Sequence, residues 1–150
     1  MPPKFAVEAR RQSLAVARSP HDQADQDSVN AISVRGVRRG EIWMIAGGKK
    51  FAGKPRPVVI VQDDRFDKTN SVTICAFTTD PTRAPLFRLP MEPGNNNGLP
   101  ATCSLMVDKI TTVPRSTIGM RIGQLADEDL VRLNRAVLVF LGMASPKTLG

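Results

Sequence analysis

The chain has 150 residues, of which 41% are hydrophobic, so it can form one compact domain with a core but hardly two. Twenty-one lysines and arginines against fourteen aspartates and glutamates give a formal net charge of +7, which favours a polyanionic partner such as nucleic acid. No apolar run approaches the roughly 20 residues that a membrane-spanning helix needs, so no membrane partner is expected.

The first 37 residues differ in composition from the rest of the chain. Their polar stretch, residues 19–30, follows neither the strand nor the helix period, which predicts a flexible N-terminal extension. The domain is therefore expected to span residues 38–144, followed by a short tail of residues 145–150.

Three strands and two loops are predicted in the first half of this domain. Residues 40–46 form the first strand, and the basic, glycine-bearing segment 49–55 is a loop. The β-branched run 57–62 is unbroken in its apolar character, which is typical of a strand buried on both faces at the centre of a sheet. Charged residues 63–70 predict a turn or short helical loop, and residues 71–79 alternate as a third strand.

The second half is punctuated by prolines at 81, 85, 90, 93 and 100, which favour edge strands and hairpins. Further short strands are predicted over residues 86–89, 102–107, 109–113 and 120–125. An exposed loop is predicted over residues 94–98.

A terminal helix follows, with Asp127 as its N-cap and Gly142 after its end. Its leucines and valines recur at spacings of three and four, and additional apolar residues such as Phe140 widen the buried face, so part of the helix is expected to pack against a partner chain. The predicted fold is α+β and mainly β: a small, strongly curved antiparallel sheet or barrel with one C-terminal helix.

The shortage of histidine narrows the possible chemistry. His21 is the only histidine and tyrosine is absent, which excludes catalysis by histidine pairs and argues against Ser-His-Asp and Cys-His nucleophile systems. Cys75 and Cys103 have no CxxC spacing, so neither a zinc site nor a disulfide framework is indicated, and a cytoplasmic location is expected. The aspartates of residues 63–67 could hold Mg²⁺, but neighbouring carboxylates in an extended segment diverge, so no metal and no cofactor are expected.

The segment Lys54-Pro55-Arg56-Pro57 places a guanidinium at the start of the central strand, where it could grip a phosphate with two parallel hydrogen bonds. The alternative is a solvated arginine at a strand entrance. Thr78 and Thr79 end the third predicted strand, and two consecutive residues of a strand point to opposite faces, so one hydroxyl faces any site there. The alternative is that both are ordinary β-formers.

A basic loop precedes Arg56. Lys49, Lys50 and Lys54 flank Phe51, and an aromatic ring among ammonium groups suits single-stranded nucleic acid, because bases stack on the ring while lysines hold phosphates. The alternative for the lysines is a charged loop that serves solubility alone.

Five motifs in order carry a resemblance to a known family: Arg39-Gly40-Glu41-Ile42-Trp43, the run Arg56–Val61, Ala76-Phe77-Thr78-Thr79, the run Leu105–Val113, and Ile122-Gly123-Gln124-Leu125. From about Arg38 to Met143 the chain resembles the MazF/PemK family of toxins from bacterial toxin-antitoxin modules.

The resemblance implies a homodimeric, CcdB-like or SH3-like barrel that cleaves single-stranded RNA without a metal and is silenced by a MazE-like antitoxin. In this family the ribose 2'-OH attacks the adjacent phosphorus, which leaves a 2',3'-cyclic phosphate and a 5'-OH end. It implies catalytic roles for Arg56 and Thr78, and Thr79, which stands where a serine is frequent in the family, is expected to bind RNA. The loop before Arg56 is shorter than in most relatives and carries Lys49-Lys50-Phe51, so the family does not predict the cleavage sequence.

A second function fits the same sequence. A non-catalytic protein on the same barrel, either a gyrase poison of the CcdB kind or an RNA-binding regulator, would use the basic surface and the terminal helix without needing Arg56 or Thr78 for chemistry.

Overall fold

The structure is a computed structural model that describes residues 36–47 and 53–145. It has seven strands and one long helix: β1 (Glu41–Ile45), β2 (Arg56–Ile60), β3 (Ser71–Thr78), β4 (Arg88–Met91), β5 (Cys103–Met106), β6 (Thr111–Pro114), β7 (Ile118–Gln124) and α1 (Asp127–Phe140). The predicted flexibility of residues 1–35 and the predicted tail after residue 145 lie outside the described residues.

Each predicted strand has an observed counterpart, and the largest displacement is at β4. The sequence predicts residues 86–89, whereas the strand is Arg88–Met91. The amide groups of Phe87 and Arg88 both donate to the carbonyl of Ala84, so the chain is still turning where the strand was expected to begin.

The strands form one antiparallel sheet in the order β4-β5-β3-β2-β1-β7, and β6 also pairs with β3. β3 is the branching strand, because one of its edges pairs with β2 and the other pairs with β6 near Thr73 and with β5 near Phe77. The prediction that the central strand is β2 is confirmed, since it lies between β1 and β3.

The sheet curves strongly without closing into a barrel. Its end strands, β4 and β7, form no ladder with each other within the described residues, and the loop between β4 and β5 bridges them instead. The Gln124 amide donates to the carbonyl of Asn96 at 2.9 Å. Gly123 allows this contact, because a Cβ there would overlap the backbone of Asn96 and Asn97.

Two hydrophobic clusters occupy the two faces of the sheet. Val59 joins the cluster under the helix, while Val58 and Ile60 join the cluster on the other side, so β2 is buried on both faces as predicted. Val37 is 1% exposed and belongs to the second cluster, so the packed part of the chain includes a residue from the end of the predicted extension.

Helix α1 packs Leu133 and Ala136 into the first cluster. The N-cap is Ala126 and not Asp127 as expected, because Asp127 already has helical geometry, and its carboxylate instead joins those of the next two residues in the first turn, where the helix dipole favours negative charge. Several large apolar side chains at this end of the molecule are exposed: Val131, Phe140, Leu141 and Met143. Packing of the helix against a partner chain stays a prediction.

No helix within the described ranges combines the length and the apolar character that a bilayer span requires.

Candidate functional site

Arg56 and Thr78 meet at the end of the β2–β3 pair. Arg56 is the first residue of β2 and Thr78 is the last residue of β3. The two strands are antiparallel, with Val58 opposite Ala76. Two residues further along each strand, the same register sets Arg56 opposite Thr78.

The two side chains also share a face of the sheet. Alternate residues of a strand point the same way, so Arg56 follows the direction of Val58 and Thr78 follows that of Ala76. Val58 and Ala76 both belong to the second hydrophobic cluster. The site therefore lies beside this cluster at the end of the two strands, where the side chains are partly exposed.

Two cavities adjoin the site. The first, here called the charged cavity, has a volume of about 370 Å³ and is lined by Arg56, Ala76, Thr78, Asp80, Arg88, Met106, Lys109 and Thr111. The second, here called the apolar cavity, has a volume of about 250 Å³ and is lined by Lys54, Pro55, Arg56, Pro57, Phe77, Thr78, Thr79, Pro100, Ala101 and Cys103. Arg56 and Thr78 are the residues that line both.

The Arg56 guanidinium is available to a ligand. Its Nε atom is buried, and the guanidinium has no hydrogen-bond partner among the described residues. A buried donor without a partner costs about 1–3 kcal/mol, which an anionic ligand in either cavity would recover. Arg56 is partly exposed as a whole, so such a ligand can reach it.

The Thr78 hydroxyl has a defined orientation. Its Oγ1 atom accepts a hydrogen bond from the backbone N–H of Asp80 at 3.1 Å. Because that lone pair is occupied and no acceptor for the hydroxyl proton occurs in the described part of the chain, the O–H is free to donate to a ligand.

The tertiary structure adds charged residues that the sequence did not single out. Arg88 lines the charged cavity and is paired with Asp108 at 2.9 Å, while Lys109 lines the same cavity with no ion pair to any described residue. Asp80 lines it as well, and hydrogen bonds from the Thr82 hydroxyl and amide hold the pKa of its carboxyl below the usual range. These residues come from three separate segments, and no local signal in the sequence connects them.

The remaining predicted site residues differ in position. Lys54 and Thr79 are exposed and line the apolar cavity only, whereas Thr78 lines both cavities. Lys49, Lys50 and Phe51 lie outside the described residues. Gly47 and Gly53 lie in close contact, since a Cβ on Gly47 would overlap the backbone of Gly53.

No group of three or more histidine, cysteine or carboxylate side chains that could hold a metal ion occurs in the part of the chain that the structure describes. Asp63 and Asp64, considered above as Mg²⁺ ligands, are engaged by arginines. Asp63 accepts from Arg65, and Asp64 accepts from the backbone of Arg39.

Burial raises the pKa of both cysteine thiols, that of Cys75 to about 12 and that of Cys103 to about 11. The reactive thiolate is therefore scarce at neutral pH, so neither cysteine is suited to act as a nucleophile.

Comparison with known proteins assigns the chain to a family. Residues 38–141 match the family described as the PemK-like, MazF-like toxin of type II toxin-antitoxin systems. The chain is 56% identical over 108 residues to a protein of Mycolicibacterium smegmatis named probable endoribonuclease MazF, an alignment that covers 72% of this chain and 99% of that relative. It is 25% identical over 119 residues to endoribonuclease MazF9 of Mycobacterium tuberculosis, covering 73% and 99% of the two chains.

Solved structures confirm the fold. A mycobacterial endoribonuclease in complex with its cognate antitoxin aligns with a TM-score of 0.60 at 22% identity, covering 73% of this chain and 98% of that one. The Mycobacterium tuberculosis toxin MazF-mt6 aligns with a TM-score of 0.59 at 23% identity, covering 69% and 98%. At these identities the likeness is one of fold.

Proposed function

Because the chain belongs to the family of PemK-like and MazF-like toxins of type II toxin-antitoxin systems, we propose that it is an endoribonuclease that cleaves single-stranded RNA. The observation that carries the proposal is the meeting of Arg56, with its unpartnered donors, and Thr78, with its free hydroxyl proton, on the shared wall of two cavities. The 56% identical relative is named for this activity, and the alignment covers nearly all of that protein.

The reaction is an intramolecular transesterification at one phosphodiester bond of the RNA. The 2'-oxygen of a ribose attacks the adjacent phosphorus in line with the bond to the 5'-oxygen, which leaves a 2',3'-cyclic phosphate and a 5'-OH end. A site that holds the attacking hydroxyl in this geometry lowers the activation barrier of the reaction, since nucleophile and phosphorus belong to one RNA chain. DNA lacks the hydroxyl and is not cleaved.

Arg56 acts as an electrostatic clamp. A guanidinium stays protonated and is a poor proton acceptor, but its planar array of N–H groups can bind two oxygens of the scissile phosphate. Negative charge grows on those oxygens as the pentavalent transition state forms. A fixed cation at the start of β2 therefore stabilises the transition state more than the bound RNA.

Thr78 supplies an oriented neutral donor. The Asp80 amide holds its oxygen, so the hydroxyl proton can donate to a non-bridging phosphate oxygen beside Arg56. Such donors require no reorganisation during the reaction, which is why loss of one typically costs about 100- to 1000-fold in rate.

We also propose that the protein acts in the cytoplasm as a homodimer and is silenced by a MazE-like antitoxin. The exposed apolar side chains of α1, among them Val131 and Phe140, support burial against a second chain. The net charge of +7 supports inhibition by an acidic segment.

The decisive experiment incubates the purified protein with a library of short single-stranded RNAs in EDTA. We expect cleavage without added metal, products ending in a 2',3'-cyclic phosphate and a 5'-OH, and no cleavage of the matched 2'-deoxy substrate. Absence of cutting, or cutting that requires Mg²⁺, contradicts the proposed mechanism.

Growth assays separate the nuclease from a non-catalytic poison. Expression of the wild-type chain is expected to arrest growth, while Arg56→Ala and Thr78→Ala variants are not. If both variants remain toxic, the toxicity does not come from this site.

The proposed domain boundary can be tested by truncation. Deletion of residues 1–35 is expected to leave cleavage and thermal unfolding unchanged, while a deletion that also removes Val37 is expected to lower the unfolding temperature, because Val37 packs in the second cluster.

A further inference from the structure

The proposed cleavage requires two proton movements that neither Arg56 nor Thr78 is suited to perform. The 2'-OH loses a proton as its oxygen bonds to phosphorus, and the 5'-oxygen gains one as it departs. A guanidinium holds its protons tightly, and a threonine hydroxyl is a weak acid and a weak base. Other groups of the charged cavity are therefore the candidates for both transfers.

We propose that Asp80 accepts the proton of the attacking 2'-OH and that Lys109 donates a proton to the departing 5'-oxygen. This inference rests on the proposed function and assigns two further catalytic residues to the same site. Both side chains line the charged cavity together with Arg56 and Thr78. Among the residues that line this cavity, Asp80 is the carboxylate and Lys109 is the amine.

Asp80 is held next to Thr78 by two sets of hydrogen bonds. Its backbone N–H donates to Thr78 Oγ1 at 3.1 Å, and its Oδ1 atom accepts from Thr82 N at 2.9 Å and from Thr82 Oγ1 at 2.6 Å. Oδ2 has no partner within the described residues. The Thr82 contacts also lower the pKa of the Asp80 carboxyl, which keeps the group ionised at neutral pH.

Lys109 lines the same cavity from a different segment of the chain. It ends a single 3₁₀ turn, Val107–Lys109, that connects β5 to β6. The neighbouring carboxylate of Asp108 is bonded to Arg88 at 2.9 Å, which leaves Lys109 exposed and without an ion pair to a described residue. Lys109 and Arg88 both lower the pKa of Asp80 through their charge, which places them within electrostatic reach of its carboxylate.

The proton balance of the step is complete. The bond between O2' and phosphorus forms, the bond between phosphorus and O5' breaks, the 2'-OH proton moves to Asp80, and a proton of the Lys109 ammonium moves to O5'. The products are the cyclic phosphate, the 5'-OH, a neutral carboxyl and a neutral amine. Exchange with water then restores both side chains, so no oxidant, reductant or metal is consumed.

The test compares two substrates in single-turnover reactions of the full chain: an RNA with one mapped cleavage site, and the same RNA with sulfur in place of the bridging 5'-oxygen at that site. A thiolate leaves without being protonated, so the second substrate has no need of a proton donor. We expect Lys109→Met to cut the oxygen substrate about 100- to 10,000-fold more slowly than wild type, and the sulfur substrate within about threefold of it. Lys109→Arg retains the charge and is expected to behave like Lys109→Met.

Asp80→Asn is expected to slow both substrates by about 100-fold or more, because the 2'-OH must be deprotonated in either case. Lys68→Met and Glu128→Gln serve as controls, since both residues are exposed and neither lines the charged cavity. Thermal unfolding of each variant verifies that the fold is intact.

Three results overturn the assignment. If Lys109→Met cuts the oxygen substrate at the wild-type rate, Lys109 has no role in catalysis. If this variant slows both substrates equally, the lysine contributes charge and not a proton. A wild-type rate for Asp80→Asn excludes Asp80 as the acceptor. Failure of the wild-type chain to cut the oxygen substrate is a different result, because it rejects the proposed nuclease itself.

Discussion

The two cavities that adjoin Arg56 and Thr78 differ in their walls, since charged side chains are more numerous around the charged cavity. The charged cavity runs beside Ala76 of the second cluster and is rimmed by Arg88 and Lys109, while the apolar cavity runs beside Phe77 of the first cluster. Because successive residues of β3 face opposite sides of the sheet, the end of this strand supplies residues to both cavities. In the proposed reaction the charged cavity would hold the scissile phosphate, and the apolar cavity would hold flanking parts of the RNA.

Among changes to the residues that both cavities share, the largest effect is expected from Arg56→Lys, which keeps the charge but removes the planar fork. We expect single-turnover cleavage to fall about 100- to 1000-fold while RNA affinity changes by less than about threefold. Cleavage rates and binding by fluorescence anisotropy measure the two separately. Turnover close to wild type means that the geometry of the guanidinium is unimportant.

A matched pair of hydroxyl deletions compares the two sides directly. Thr78→Val removes the donor shared by both cavities at nearly constant shape and is expected to reduce the cleavage rate about 100-fold. Thr79→Val alters only the apolar cavity, so we expect a change below about tenfold, expressed mainly in the preference among cleavage sites. End-mapping of the cleaved transcripts and single-turnover rates provide the readout, and equal losses for the two variants contradict these separate roles of the cavities.

Lys54→Met is expected to have a smaller effect, limited to binding. Lys54 is exposed at the apolar cavity and has no ion pair with a described residue, so its loss removes about one phosphate contact. We expect the slope of log affinity against log salt to become shallower by about 0.7, with the cleavage rate at saturating RNA unchanged. Lys68→Met is the matched control, and an unchanged slope in Lys54→Met shows that RNA does not contact this residue.

The smallest expected effect concerns the two thiols. With the pKa of Cys103 raised to about 11 and that of Cys75 to about 12, the thiolate fraction of Cys103 at pH 8 is about a thousandth and that of Cys75 smaller still. The pKa values of both thiols are higher in the folded than in the unfolded chain. The reactivity of each thiol therefore increases only as the pH rises toward these values, because the thiolate fraction grows. Alkylation with iodoacetamide, followed by mass spectrometry, is expected to be slow at both, with Cys103 at the wall of the apolar cavity ahead of Cys75. Rapid labelling of the native protein at pH 8 contradicts this burial.

Much of the fold could be predicted because its signals are local. The alternation of β3 and the unbroken β-branched run of β2 follow directly from the pleat, and both strands occur within a residue or two of their expected ends. The N-cap of α1 was displaced by one residue, since the carboxylates at 127–129 serve the helix equally well inside its first turn. The start of β4 was predicted less accurately, because the turn around Ala84 depends on hydrogen bonds that no local motif marks.

Burial of charge was less predictable. Arg115 follows a proline and no local signal marks it for burial, yet it is 2% exposed, and its Nε atom donates to the carbonyl of Thr69 at 2.8 Å. Burial lowers the pKa of this guanidinium. The contact depends on the pairing of β6 with the start of β3, which joins residues as distant along the chain as Ser71 and Pro114.

The amino-acid sequence by itself determined the α+β class, the order of the strands along the chain, the candidate pair Arg56 and Thr78, and the resemblance that carries the family. These depend on side-chain period, turn chemistry and motif, which are properties of neighbouring residues. Only the tertiary structure decided that the pair separates a charged cavity from an apolar one, and that Asp80, Arg88 and Lys109 surround the first. Those residues come together through antiparallel register and sheet curvature, which are set by contacts between segments distant in the chain.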